Sequence, residues 1–367
     1  MDAIEWCPLP ILWVDEIHSN PAVRDQHKER QVAGALQPVR QTEELGAGDR
    51  VPATPFAVAR GKVTVAARNG RTTVWLRRMQ QELLHRLSLP VYRLLSRLPA
   101  WEYGLDAPTV TCIQCRHTPL AGRRAVQISD LHLDRYLPRH DRILAGIAEL
   151  KPDWIFVTGD LLNMPDGIHP LFRFLARLRQ LAPVYLTLGN HDHCSGVPVG
   201  RLVDLAERHK LHLLINQAIF IPVASGELGI IGLDDPSTHR ADVRCIPPSA
   251  PGRFTILLAH APNVLDLLEP GHAVDLVLCG HSHGGQWRFG SVRPWWLPYG
   301  CRGRVEGPYV RNGHWMYVTR GVGWSFLPVR WNCQPEIVLI EWDTVPRHAG
   351  VDPAGAVGHV LRRVGAT

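Results

Sequence analysis

The sequence predicts an α/β protein of layered sheets and helices that carries an N-terminal extension. Compact, nearly unbroken apolar runs at 125–129, 154–158, 184–188, 230–233, 255–259 and 276–279 have the length and composition of strands. Helical periodicities at 142–150, 170–181, 201–209 and 263–269 fall between them. Strands that are apolar on both sides need cover on both sheet faces, which flanking helices provide. Two later strands, 315–319 and 337–342, follow one another with no long helix between, which predicts a mixed sheet.

The first 73 residues hold no apolar period long enough to bury a face. Charged stretches such as His27-Lys28-Glu29-Arg30 alternate with Gly and Pro, so this part reads as a disordered or irregular extension. Residues 74–107 differ: Leu76, Met79, Leu83, Leu87, Val91, Leu94, Leu95 and Leu98 line one face of a helix that Pro90 would kink. Arg77, Arg78, Arg86, Arg93 and Arg97 oppose them with a single acid, Glu82. Such a helix can lie at an anionic membrane surface, or can pack on the α/β domain with its arginines in water. The α/β pattern occupies 108–345, and 346–367 reads as a C-terminal tail.

A net charge of +6 over 367 residues suits an acidic substrate or an anionic surface and is too mild to indicate nucleic acid. The eight cysteines follow no disulfide spacing, so reduced thiols are expected; the lone Cys112-Ile-Gln-Cys115 reads as incidental, with a structural zinc the lesser alternative. Asp2 and Glu5 stand where a signal peptide would be basic, and no stretch approaches the ~20 apolar residues of a membrane span. The expected location is the cytoplasm, with peripheral contact at the inner membrane left open.

Five polar clusters follow apolar runs in order: Ser129-Asp130-Leu131-His132, Gly159-Asp160, Gly189-Asn190-His191-Asp192, His260 and Gly280-His281-Ser282-His283. Strand ends are firm platforms from which loops project side chains over a sheet edge. Asp130 and His132, two apart, would project to one side if the chain stays extended, and a carboxylate such as Asp160 can bridge two cations. Taken singly, the aspartates could be helix caps, Asn190 a turn residue and His260 an ordinary core histidine. Nothing structural demands the whole ordered set, and its oxygen and imidazole donors suit Mn, Fe or Zn.

This ordered set resembles the calcineurin-like metallophosphoesterase family. The stretches Gly280-His281-Ser282-His283-Gly284-Gly285-Gln286, Arg320-Gly321-Val322-Gly323, Leu327-Pro328-Val329-Arg330 and Pro335-Glu336-Ile337 resemble its YaeI/YkuE-type branch. The resemblance runs from about 108 to 342 and implies a β-sandwich of mixed sheets flanked by helices, holding two divalent ions with Mn first in line. By the same resemblance Asp130, His132, Asp160 and His283 hold one ion; Asp160, Asn190, His260 and His281 hold the other. His191 would face the scissile phosphate without ligating metal. Many relatives carry Asp where this chain has Asn163, so either Asn163 or Asp192 is left to orient His191.

The implied reaction is in-line hydrolysis of a phosphodiester or pyrophosphate by hydroxide formed on the paired ions. Arg288, Trp295 and Trp296, with Phe289, Tyr299, Arg293, Arg302 and Arg304, could contact a base or an acyl chain and extra phosphates, or could be loop packing. The favoured substrate is lipid-linked or nucleotide-linked; the branch resembles hydrolases of UDP-2,3-diacylglucosamine. The alternatives are a broad-specificity phosphodiesterase or nuclease, and a non-catalytic scaffold, which would require a gap in the ligand set.

Overall fold

The computed structural model describes residues 104–105, 108–288, 294, 297–343 and 362–364, all within the unit Val63–Thr367. The readings of 1–73 and of the basic helix at 74–101 lie outside the described residues. Strands β1 (Thr109–Arg116) and β2 (Arg124–Ile128) come first. Helix α1 (Pro138–Leu150) then leads to β3 (Trp154–Thr158), and α2 (Ile168–Leu181) to β4 (Val184–Thr187). The short α3 (Asn190–Cys194) and α4 (Val199–Arg208) lead to β5 (His212–Leu213). There follow β6 (Gln217–Val223), β7 (Gly226–Gly232), β8 (Arg253–Leu258), β9 (Leu276–Cys279), the hairpin β10 (Gly307–Arg311) and β11 (His314–Val318), then β12 (Glu336–Asp343) and β13 (Arg362–Val364).

Two mixed sheets face each other. One runs β13-β1-β12-β2-β3-β4-β5 and the other β10-β11-β9-β8-β7-β6. Ile113, Ala125, Phe156 and Ile340 of the first sheet meet Leu228, Phe254, Ile256 and Leu278 of the second, forming the core of a sandwich. Leu171, Phe172, Leu175 and Leu178 of α2 and Ile143 and Ile147 of α1 cover the outer face of the first sheet. Each such side chain contributes roughly 1.5–3 kcal/mol by leaving water. Strands β2, β3 and β4 run parallel to one another, as do β7, β8 and β9. Their carboxyl ends collect the five polar clusters on one rim.

Three details differ from the sequence reading. The late strands part: β11 joins the second sheet parallel to β9, whereas β12 enters the first between β1 and β2, parallel to one and antiparallel to the other; β6 and β10, antiparallel to their neighbours, make the second sheet mixed. Only a 3-10 turn, Pro262–Asp266, stands where helix was expected at 263–269, because Pro270-Gly271 ends the apolar stretch one turn later. β1 was missed because Thr and Gln interrupt its apolar pattern. Cys112 of β1 packs with the helix-side core and Cys115 with the inter-sheet core, so this CxxC faces two ways and cannot close on one ion.

Candidate metal centre

The backbone at the rim is unusual before any side chain is considered. Asp130, His132, Asp160, His281 and His283 all have positive φ, at 55°, 42°, 51°, 71° and 50°. Side chains rarely tolerate this region; each instance costs on the order of 1–3 kcal/mol and survives only where the surroundings enforce it. Here the loops enforce one another. Asp130 N–H donates to Gly159 O at 3.1 Å, His132 N–H to Asp160 O at 3.0 Å and Gly280 N–H to His260 O at 2.9 Å. A Cβ on Gly189 would strike Asp160, and one on Gly280 would strike Ser129 and Asp130, so both glycines are required for the close approach. Asp130 and His132 therefore do not share a side by extended alternation, as the spacing implied. They reach one volume through two left-handed residues flanking the buried Leu131.

Asp130, His132, Asp160 and His283 each present a ligand atom, all within 4.8 Å of one another, and Asp160, His260 and His281 do the same. Asp160 belongs to both groups. Its Oδ2 lies 3.5 Å from His132 Nε2 on one side and 3.2 Å from His260 Nε2 on the other. Within each group the imidazoles converge, His132 Nε2 on His283 Nε2 at 3.2 Å and His281 Nδ1 on His260 Nε2 at 3.0 Å. Two donors bound ~2.1 Å from one ion stand about 3.0 Å apart at a right angle and about 3.4 Å apart at the tetrahedral angle. The observed separations match that range. Asn190 Oδ1 is buried with no hydrogen-bond partner among the described residues, an acceptor left for a cation.

The far side of the imidazoles is equally organised. His132 Nδ1 faces Asn163 Oδ1 at 2.7 Å, His260 Nδ1 faces Thr158 O at 2.9 Å, and His281 Nε2 faces Tyr299 O at 2.6 Å. An oxygen acceptor at one ring nitrogen holds the proton there and leaves the lone pair of the other pointing into the site. Burial, followed by weaker opposing charge from Asp160, takes His132 down to about 4. Burial and the neighbouring His132 hold His283 well below the usual imidazole range. Both rings are thus neutral at pH 7, as ligands must be. Burial alone would raise Asp160, but the facing His260 and His191 hold it well below the carboxylate range. Burial would lower His260, but the Asp160 carboxylate overrides it and raises it to about 10.

His191 stands edge-on to His132, ring centroids 4.7 Å apart, and its backbone N–H donates to Asp160 Oδ1 at 2.9 Å. Of the two residues expected to orient its ring, Asn163 accepts from His132, and the Asp192 carboxylate accepts the N–H groups of Gly189 at 2.8 Å, Leu161 at 2.8 Å and Leu162 at 3.2 Å, tying two loops together. Arg288 pairs with Glu306 and donates to Gly284 O, each at 2.8 Å. Trp295 and Trp296 lie outside the described residues. Sequence reasoning weighed Asn163 only for His191, and missed Asp134 and the carbonyls of Thr158 and Tyr299 as supports of the imidazoles. Each meets its histidine through long-range folding, which leaves no spacing signal.

A family model described as calcineurin-like phosphoesterase matches residues 123–285, the stretch holding every one of these donors. Phosphodiesterase YaeI of Escherichia coli (strain K12) is 33% identical over 224 residues, covering 58% of this chain and 80% of YaeI. The chain belongs to the calcineurin-like phosphoesterase family. Metallophosphoesterase YkuE of Bacillus subtilis (strain 168) is 32% identical over 225 residues, 59% of this chain and 78% of YkuE. Metallophosphoesterase YkoQ of the same organism is 28% identical over 226 residues, 58% of this chain and 81% of YkoQ. As a calcineurin-like phosphoesterase the chain is a metal-dependent phosphoric ester hydrolase, and its Asp/His cluster is that of a dinuclear divalent-metal site.

Proposed function

We propose that this phosphoesterase hydrolyses a phosphodiester or pyrophosphate bond, with Asp130, His132, Asp160 and His283 holding one divalent ion and Asp160, Asn190, His260 and His281 the second. The observation that carries this reading is the single oxygen, Asp160 Oδ2, within 3.5 Å of an imidazole from each group. Bound there, two ions supply positive charge against the phosphoryl oxygens and acidify water. The donor set favours Mn, with Fe and Zn able to bind the same atoms.

The chain's own groups do the rest. Asp160 keeps both halves of the site in register while its Oδ1 fixes the start of α3 through the His191 N–H. Burial lowers His191 to about 4, so its ring is neutral at pH 7. That favours a hydrogen bond from the ring to a phosphoryl oxygen in the transition state over proton donation to the leaving group. The buried walls exclude bulk water, which strengthens each of these interactions.

A diester is favoured because YaeI, the relative at 33% identity, is named a phosphodiesterase. A lipid-linked or nucleotide-linked organic portion, UDP-2,3-diacylglucosamine among the candidates, rests on the family resemblance. Peripheral attachment at the inner membrane through 74–101 rests on that segment's arginines; among the described residues no helix is long and apolar enough to cross a membrane. Full-length protein with added Mn is to be assayed on bis-p-nitrophenyl phosphate, p-nitrophenyl phosphate and nucleotide-linked lipids. Diester or pyrophosphate cleavage that chelation abolishes is the expected result. Exclusive cleavage of the monoester would overturn the reading.

A further inference from the structure

We propose that Arg330 is a positioning residue for one of the two ion sites, clamping the main chain of His283 to the turn that backs Asp130. The inference rests on the two-site reading above, and it gives a role to the Arg320-Gly321-Val322-Gly323 and Leu327-Pro328-Val329-Arg330 stretches, which that reading leaves unused.

His283 differs from the other three imidazole donors. Their far nitrogens meet oxygen acceptors, but His283 Nδ1 is buried with no hydrogen-bond partner among the described residues. Only an irregular 3-10 turn, His283–Gly285, holds its backbone, since φ is positive at four residues in succession: His283 at 50°, Gly284 at 60°, Gly285 at 80° and Gln286 at 47°. Its carbonyl oxygen ties that turn to the rest of the fold. It accepts the Gln286 N–H at 3.0 Å from within the turn, and from outside it the Cys333 thiol at 3.2 Å and Arg330 Nη1 at 3.3 Å.

The same guanidinium reaches the other side of the site. Arg330 Nε donates to Gly323 O at 2.8 Å and Nη2 to Arg320 O at 2.7 Å. The turn so fixed lies on Asp130: Gly323 N–H donates to Asp130 O and Val322 N–H to Ser129 O, both at 2.9 Å. A Cβ on Gly323 would collide with Asp130 O, and one on Gly321, whose φ is 69°, would stand 2.7 Å from Asp130 Cβ. Gln286 fastens the same two segments, its Nε2 donating to the carbonyls of Ser325, Leu327 and Val329 at 3.0, 2.9 and 3.1 Å.

Arg330 is 1% exposed, and among the described residues no carboxylate pairs with it. A buried cation without a counter-ion is a poor way to fill space, because an apolar side chain of similar volume avoids the desolvation. A forked donor that spans four carbonyls, those of His283, Arg320, Gly323 and Cys333, is a good way to hold two loops at a fixed separation. Its contacts are also one-sided. They touch His283, Cys333 and the Asp130 turn, and none goes to His260 or His281. The effect of losing the clamp therefore falls first on the ion held by Asp130, His132 and His283, and reaches the second only through Asp130, whose carboxylate accepts the His281 N–H at 3.0 Å.

The test is a Mn titration of chelator-stripped full-length protein, reading free Mn by electron paramagnetic resonance, for wild type and Arg330→Lys. The wild type is expected to bind in two steps. In Arg330→Lys one step weakens by ~10–100-fold, the range for losing a group that orients a ligand, and the other by much less. Should Arg330→Lys fail to fold, Cys333→Ala removes the other side-chain donor to the same carbonyl and is expected to weaken the same step. Two steps that stay put, or that weaken equally, would overturn the clamp while leaving the two-site reading intact. A wild type that binds fewer than two ions would overturn the two-site reading itself, and the clamp with it.

Discussion

The side-chain oxygen of Asn163 stands 2.7 Å from His132 Nδ1, while its amide nitrogen donates to Asp134 Oδ2 at 2.8 Å. Asp134 also accepts the backbone N–H groups of Asn163 at 2.9 Å and Met164 at 3.2 Å. The amide is thus locked with its oxygen toward the imidazole, which places the His132 proton on Nδ1 and the lone pair on the nitrogen facing Asp160. Asn at this position is explained by its neighbour. A carboxylate at 163 would confront the buried carboxylate of Asp134 without a proton between them.

Asn163→Ala is expected to lower the affinity for the His132-bound ion by ~10–100-fold, as measured by Mn titration. Asn163→Asp should not rescue it, because its charge opposes Asp134; a lower melting temperature at pH 8 than at pH 5 would report that repulsion. Wild-type affinity in both variants would remove Asn163 from the site.

Asp160→Ala and His191→Ala should fail for different reasons. Loss of Asp160 should strip both ions and, at several kcal/mol of transition-state stabilisation, reduce diester hydrolysis by on the order of 10³-fold or more. His191→Ala should keep two ions yet lose roughly 10²–10⁴-fold in kcat. Metal analysis beside kinetics separates the two, and loss of ions in His191→Ala would make that histidine a ligand.

Glu306 offers a pH test away from the ions. Burial opposes its ionisation, but hydrogen bonds and charge from Arg288, with Arg320 behind, hold its pKa below the ordinary 4.5. A depressed carboxylate contributes stability that is present above the unfolded-state pKa and disappears as pH falls through the folded one. Glu306→Gln should therefore melt below wild type at pH 7, and the gap should shrink progressively as pH falls below the ordinary 4.5. A gap unchanged across that range would mean the pairs contribute nothing through charge.

Much of this site could be read from the chain because its donors sit immediately beyond apolar strands. Asp160, His260 and His281 each stand two residues beyond the ends of β3, β8 and β9, so strand and ligand announce each other. The supports were hidden for the opposite reason. Asn163 lies 31 residues from His132, Tyr299 acts through a carbonyl that any residue carries, and Arg330 lies 47 residues from His283. Spacing also misled at Asp130 and His132, where extended geometry was assumed and loop-to-loop hydrogen bonds impose left-handed backbone instead. At β12, pairing with β1 and β2 came from tertiary packing that no local pattern encodes.

Anomalous scattering from a crystal of the Mn-loaded protein tests the paired-ion centre most directly. The expected map holds two peaks ~3.5–4 Å apart on either side of the Asp160 carboxylate, one beside His132 and His283, the other beside His260 and His281. A single peak, or peaks away from Asp160, would contradict it.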